Sequence, residues 1–129
     1  MFVNIGGIPA DERDPKMEAI KQYTLNLNAQ AIGLTECNVH WKKVPAFARL
    51  HERTLGWFEA LGINTAYYEK YAAGSIFQPG GVSLWSIGVG VHRTQSTGQD
   101  LSVLGRWAWT RYRGRQGIHL RVVTAYRPV

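Results

Sequence analysis

A chain of 129 residues has room for one domain around one core, spanning 1–129, and an ordinary apolar share of 45% argues against a disordered protein. No apolar run approaches the roughly 18 residues of a membrane span, and no charged segment leads into an apolar stretch as in a signal peptide, so an intracellular protein away from membranes is expected. The net charge of +6 is uneven: residues 1–92 carry eight Lys/Arg and eight Asp/Glu, while residues 93–129 carry seven arginines and a single acid, Asp100.

The first predicted strand covers residues 2–5 and is broken by Gly6, Gly7 and Pro9. Asp14-Pro15 starts a helix, because Asp is a good N-cap and Pro is tolerated in the first turn. Met17, Ile20, Tyr23 or Thr24, and Leu27 recur at helical spacing and give it one apolar stripe. The apolar run 31–35 predicts a second strand. A strand, a covering helix and a second strand form a βαβ-like unit, which puts both strand ends on one side. Asn4 and Glu36 therefore pair as neighbours at carboxyl ends of strands, where ligands gather in α/β folds. Cys37 beside them reads as a small packed residue, and a lone cysteine forms no internal disulfide.

After Pro45, the spacing of Phe47, Leu50, Thr54, Phe58 and Leu61 predicts a second helix stopped by Gly62. Residues 66–71 read as a third strand and 72–81 as a loop. The runs 82–86 and 87–91 read as two short strands or one bent one. Residues 94–105 read as a Ser/Thr/Gly-rich loop. From 106 to 113 the chain alternates, with Trp107, Trp109, Arg111 and Arg113 on one side and Arg106, Ala108, Thr110 and Tyr112 on the other. The two tryptophans are expected between layers, with base stacking as the alternative if they are exposed. Residues 114–117 form a hairpin turn, and 118–126 a last strand with Ile118, Leu120, Val122 and Tyr126 on one face. Arginine presents a planar donor fork suited to phosphate, so the basic last third points to nucleic acid, with a solvated basic hairpin as the plain alternative.

Three stretches together resemble the endonuclease/exonuclease/phosphatase superfamily, the group of exonuclease III, the apurinic endonucleases, DNase I and the retrotransposon endonucleases. They are NIGGI at the start, LTECNVH after the second strand, and TAYRP at the end. The resemblance implies that Glu36 binds Mg2+ (or Mn2+), that Asn4 orients the catalytic groups and that the Tyr126 hydroxyl reaches the scissile phosphate. It makes Asn38, where relatives commonly carry Lys, a phosphate contact, while His40 reads as structural. Arg111, Arg113, Arg115 and Arg127 would track a nucleic-acid backbone, DNA in the first instance. Gly6 departs from the pattern, since many relatives place Asn or Asp there. The later Asp-x-Asn and Asp-His pairs of the family have no counterpart after Tyr126.

The expected fold is α/β, half of a four-layer α/β sandwich. Strands one, two and the last ones would form one mixed sheet with both helices on its outer face, leaving the other apolar face exposed. The expected function is metal-dependent phosphodiester hydrolysis of nucleic acid, with this stretch alone inactive and completed by a C-terminal half. The runs FQPGGV, GRW and GRQG look most like endonuclease domains linked to a reverse transcriptase of a retroelement, which would be nuclear in a eukaryote. Two rivals stand beside it: a nucleic-acid-binding module without catalysis, and a small-molecule phosphatase on the same fold.

Overall fold

The computed structural model describes residues 1–9, 14–69, 76–102 and 104–127. β1 (Phe2–Asn4) and β2 (Ala31–Thr35) run parallel, with Asn4 opposite Thr35, and α1 (Pro15–Leu27) connects them. The Asp14 carboxylate accepts the Lys16 N–H at 2.8 Å, Pro15 begins the helix, and Asn28 in the left-handed region ends it. Met17, Ile20 and Thr24 face the core, while Tyr23 and Leu27 are exposed. A polar residue holds the third buried position because the Thr24 hydroxyl donates to the Ile20 carbonyl at 2.7 Å.

The second expected helix does not form as one element. Its place is taken by 3₁₀ turns at Trp41–Lys43 and Ala46–Ala48 and by a single turn, α2 (Leu50–Arg53). The Thr54 hydroxyl bonds back to the Leu50 carbonyl, and Gly56 at φ 76° turns the chain away. Leu50 is buried, but Phe47 points to solvent, so the helical spacing never becomes one buried stripe. Leu61 and Gly62, expected at the helix end, instead open β3 (Leu61–Ala66). The strand expected at 66–71 thus lies earlier, and its residues 70–71 fall outside the described ones, as do 72–75 of the expected loop.

β4 (Val82–Ile87) is buried at every residue, as a central strand covered on both faces, and its two buried serines find partners, Ser83 with Thr65 and Trp85 and Ser86 with Tyr112. The run expected to continue as strand to 91 stops at Gly88, φ 57°, and coils into α3 (Val89–Arg93). β5 (Thr94–Gln99) then occupies half of the stretch that reads as a loop, followed by β6 (Trp107–Arg113) and β7 (His119–Ala125).

These strands make two sheets rather than the single one expected. The first is mixed, in the order β1-β2-β4-β3, and the second antiparallel, β5-β6-β7. The turn at Gly88 and α3 lift the chain off the first sheet, and the last three strands return across its face. Val82, Leu84, Ala66 and Ala108 pack between the sheets, with Val122 and Tyr126 against them. Polar ties cross the same seam. The Ser86 and Tyr112 hydroxyls meet at 2.6 Å, and the Asn64 amide donates to the carbonyls of Gly98 and Trp109 at 3.0 and 3.1 Å.

The other face of the mixed sheet presents Ile32, Leu34, Trp85 and Ile87 to Met17 and Ile20 of α1. The order is helix, mixed sheet, antiparallel sheet: an α/β fold. The sheet face expected to be bare is therefore covered by the second sheet. No helix among the described residues is long and apolar enough to cross a membrane.

Candidate active site at the Glu36 end of the sheets

Where β2 runs out, Glu36 and Asn38 both adopt left-handed backbone, at φ 54° and 57°. That conformation is uncommon away from glycine, and Asn tolerates it better than Glu. The loop is held from both sides by main-chain hydrogen bonds. Gly7 and Ile8 donate to the carbonyls of Glu36 and Cys37 at 2.7 and 2.8 Å, and Cys37 and Asn38 donate to Gly81 and Gly80 at 3.1 and 2.7 Å. Gly6, Gly7, Gly80 and Gly81 are left-handed as well, so three adjacent loops share the conformation. Non-glycine residues held in such regions cluster at functional sites because the surroundings must over-determine them.

β7 brings Tyr126 to this end. Its N–H donates to the Arg106 carbonyl at 2.8 Å, and its ring edge runs beside Gly80, 3.8 Å from where a Cβ would stand. Hydrogen bonding toward the Glu36 carboxylate, then burial and the carboxylate charge, raise the Tyr126 phenol above its ordinary value. Asn4 lies across the ladder from Thr35, with its amide oxygen accepting the Gly6 N–H at 3.1 Å, an Asx turn. The structure thus brings Asn4, Glu36 and Tyr126 to one end of the sheets, with Glu36 near enough to act on the Tyr126 phenol, while the Asn4 oxygen serves the turn.

Asn38 is a brace. Its side-chain oxygen accepts the Gly80 N–H at 2.8 Å, its N–H reaches the Gly80 carbonyl at 2.7 Å, and its amide nitrogen lies 3.7 Å from the Cβ position of Gly7. A phosphate at Asn38 could be met only by that nitrogen. Cys37 is buried, and burial pushes its thiol up to about 12, which leaves no thiolate for nucleophilic work. His40 is buried, with Nε2 3.1 Å from the Glu69 carbonyl and its ring edge-on to Tyr67, in keeping with a structural part.

The four expected backbone-tracking arginines do not form one patch. Arg127 follows Tyr126 at the Glu36 end. Trp107 pairs with Ala125 at that end and Arg113 with His119 at the other, so at ~3.3 Å per residue Arg113 lies roughly 20 Å down the strand. Arg111 and the turn residue Arg115 belong to that far strip. Two basic residues that the sequence pattern did not single out stand nearer: Arg106, whose carbonyl holds Tyr126, and Lys16, whose ammonium donates to the Gly7 carbonyl at 3.2 Å.

Trp107 and Trp109 are not between the layers. Both are half-buried on the outer face of the antiparallel sheet. The Trp109 ring lies across Gly98, where a Cβ would collide with it, and the Arg121 guanidinium sits 4.3 Å from the ring centroid. That ring already has its cation, which weakens the base-stacking alternative for it.

Asp100 fixes the approach to Arg106. Its carboxylate accepts the N–H and hydroxyl of Ser102 at 2.8 and 2.5 Å and the N–H of Arg106 at 3.0 Å. Burial alone would raise this carboxyl; the Ser102 hydroxyl, the two backbone donors and the Arg106 charge more than offset it and hold the group below its usual value. A lowered folded value contributes stability above the unfolded carboxyl value of about 3.9 and loses it as pH falls through the folded value. On acidification below about pH 4 the wild-type chain is expected to lose a stability increment that Asp100→Asn lacks throughout. Parallel urea melts of the two proteins across that range check it, and identical pH profiles would refute it.

No group of three or more His, Cys, Asp or Glu that could hold a metal occurs among the described residues. Glu36 is a half-buried carboxylate beside two amide oxygens that already accept backbone donors. So sparse a donor set fits only a hard cation that keeps most of its water, as magnesium does. Compared with known proteins, the chain matches no family model, and no curated protein matches it.

Proposed function

We infer that the Glu36 end of the sheets is a divalent-metal-dependent phosphodiesterase site acting on nucleic acid. The observation that carries this reading is the left-handed Glu36 at a carboxyl strand end, held by main-chain hydrogen bonds between the Gly7 and Gly81 loops, with the Tyr126 ring packed beside Gly80. Magnesium or manganese at Glu36 would supply positive charge to a phosphate oxygen. Tyr126, kept protonated, has a phenol proton to donate to phosphate once Glu36 turns away from it. Asn4 and Asn38 hold the flanking turns, and Lys16, Arg106 and Arg127 draw the polyanion to the rim. The helix, mixed sheet and antiparallel sheet belong, on this reading, to a four-layer sandwich whose last layer would cover Trp107 and Trp109.

Among the described residues, no imidazole or second acid joins the Glu36 carboxylate in a group that could hold a metal. General-base assistance worth roughly 10²–10⁴-fold is therefore missing, and residues 1–129 alone should nick DNA only at background. The test adds Mn2+ to labelled protein and follows amide line broadening alongside plasmid nicking with magnesium. Broadening at Gly7, Glu36, Gly80 and Tyr126 that is lost in Glu36→Ala supports the site, and broadening indifferent to that change removes it. Nicking by the wild-type chain that vanishes in Glu36→Ala would show instead that this chain suffices for catalysis.

The placing of the arginines gives a second expectation. A duplex engaging Arg127 reaches Arg111 after roughly 13 Å and Arg113 only after roughly 20 Å, or about four and six base pairs at 3.4 Å each. Changing Arg111, Arg113 and Arg115 to Ser should lower the salt slope by about 2–3 for a long duplex and leave a very short one unaffected. A small-molecule phosphatase would show no dependence on duplex length, and equal slope changes for short and long duplexes would contradict the split.

A further inference from the structure

At the opposite end of the sheets from Glu36, a cavity of about 230 Å³ opens between β2, α3, β6 and β7. Its walls include Ala31, Leu120, Val122 and the ring of Tyr112. Three polar groups of the wall are already used within the protein. The Tyr112 hydroxyl is bonded to Ser86 at 2.6 Å, the Gln30 carbonyl accepts the Ile87 N–H at 2.9 Å, and the Gly114 N–H donates to the Ile118 carbonyl at 2.7 Å. What remains lining the cavity is apolar surface, the Gln30 side-chain amide and two cations, Arg93 and Arg113, and no acid lines it among the described residues. Both arginines are exposed at the rim, Arg93 at the end of α3 and Arg113 at the end of the outward row of β6, where long stems can fold over the edge and bring their guanidinium groups to the mouth.

We propose that this cavity binds a small organic anion with an apolar body, an aliphatic monocarboxylate being the class that fits. The charge pattern selects the anionic head: two guanidinium forks with no acid beside them favour carboxylate. The apolar wall selects the tail, since each buried methylene tightens binding roughly fourfold. The volume lies below the ~300–1,000 Å³ of drug-sized pockets, so the ligand has on the order of ten non-hydrogen atoms. An inorganic phosphate would satisfy the arginines but leave the apolar wall wet. The site does not rest on the phosphodiesterase reading, because Glu36 lies at the other end of β2.

The probe is octanoate, titrated calorimetrically into the whole chain, with octan-1-ol, octylamine and inorganic phosphate as comparators. Saturable one-to-one binding of octanoate is expected, at least tenfold tighter than any comparator. Arg93→Gln and Arg113→Gln should each weaken it roughly tenfold, the effect of losing one charge-assisted hydrogen bond. Leu120→Glu puts a carboxylate at the mouth from an exposed position and should abolish binding without disturbing the fold. Circular dichroism of each variant separates lost binding from lost structure. Octanoate binding no tighter than octanol, or unchanged by both arginine substitutions and by Leu120→Glu, would overturn the proposal. Phosphate binding as tightly as octanoate would overturn it too, since the apolar wall would then contribute nothing.

Discussion

Replacing Gly105 with alanine is expected to destabilise the chain by about 3 kcal/mol or more. Gly105 is buried at φ 67°, and a Cβ there would be driven into the main-chain N, Cα and C of Tyr67. The left-handed conformation costs a non-glycine residue roughly 1–2 kcal/mol, and overpacking a site that cannot yield adds about 1–3 kcal/mol. The obstacle is backbone, so no side-chain rotation relieves it. Gly117, at φ 73° with open space around it, is the matched control and should cost only the conformational part when changed to alanine. Urea midpoints for the two variants measure the difference, and equal losses would show that the Tyr67 contact is not tight. The damage should reach the candidate site, because Arg106, next in sequence, holds Tyr126.

Asn38→Ala is expected to cost about 2–4 kcal/mol. It removes the bond to the Gly80 N–H and leaves that donor partly buried, worth about 1–3 kcal/mol, and it puts alanine where Asn tolerates left-handed backbone, worth about 1 kcal/mol more. Asn38→Gly separates the two, since it relieves the conformational part and keeps the loss of the bond. Denaturant melts should rank wild type above Asn38→Gly and Asn38→Gly above Asn38→Ala. Reversal of the last two would mean that the φ of 57° is not costly there. Neither change touches the Glu36 carboxylate, yet both loosen the loop that aims it, so Mn2+ broadening near Tyr126 should weaken in step with stability.

What was legible in the sequence was what local chemistry determines. The Asp14-Pro15 cap, the Met17 and Ile20 stripe, the run ending at Thr35 and the alternation through Ala108, Thr110 and Tyr112 are signals carried within a few residues, and the elements formed there. The stretch from Phe47 to Leu61 carried a helical spacing equally local, but a left-handed Gly56 cuts it, and nothing nearby says that this glycine will turn rather than sit in a helix. β5 has almost no apolar residue. It is a strand because β6 supplies its ladder and Trp109 covers Gly98, both distant in sequence. The division into two sheets depends on Gly88 and a five-residue helix, which look like an irregularity in a β run. At the candidate site, strand ends told where Glu36 and Tyr126 would lie. The arginines misled because closeness in sequence along a strand is distance in space.

The loops around Glu36 take one strand end each from the beginning, the first third, the middle and the end of the chain. Residues 4–8, 36–38 and 80–81 meet at one end of the mixed sheet, and residue 126 joins them only when the antiparallel sheet closes on it, so the complete site belongs to the closed fold. Such long-range closure is slow to assemble. Any ion or phosphate that settles between Glu36 and Tyr126 therefore binds the native state alone and raises the stability of the whole chain by mass action. A melting curve is thus a ligand screen for this protein, and protection from hydrogen exchange on ligand binding should spread through both sheets rather than stay in the loops.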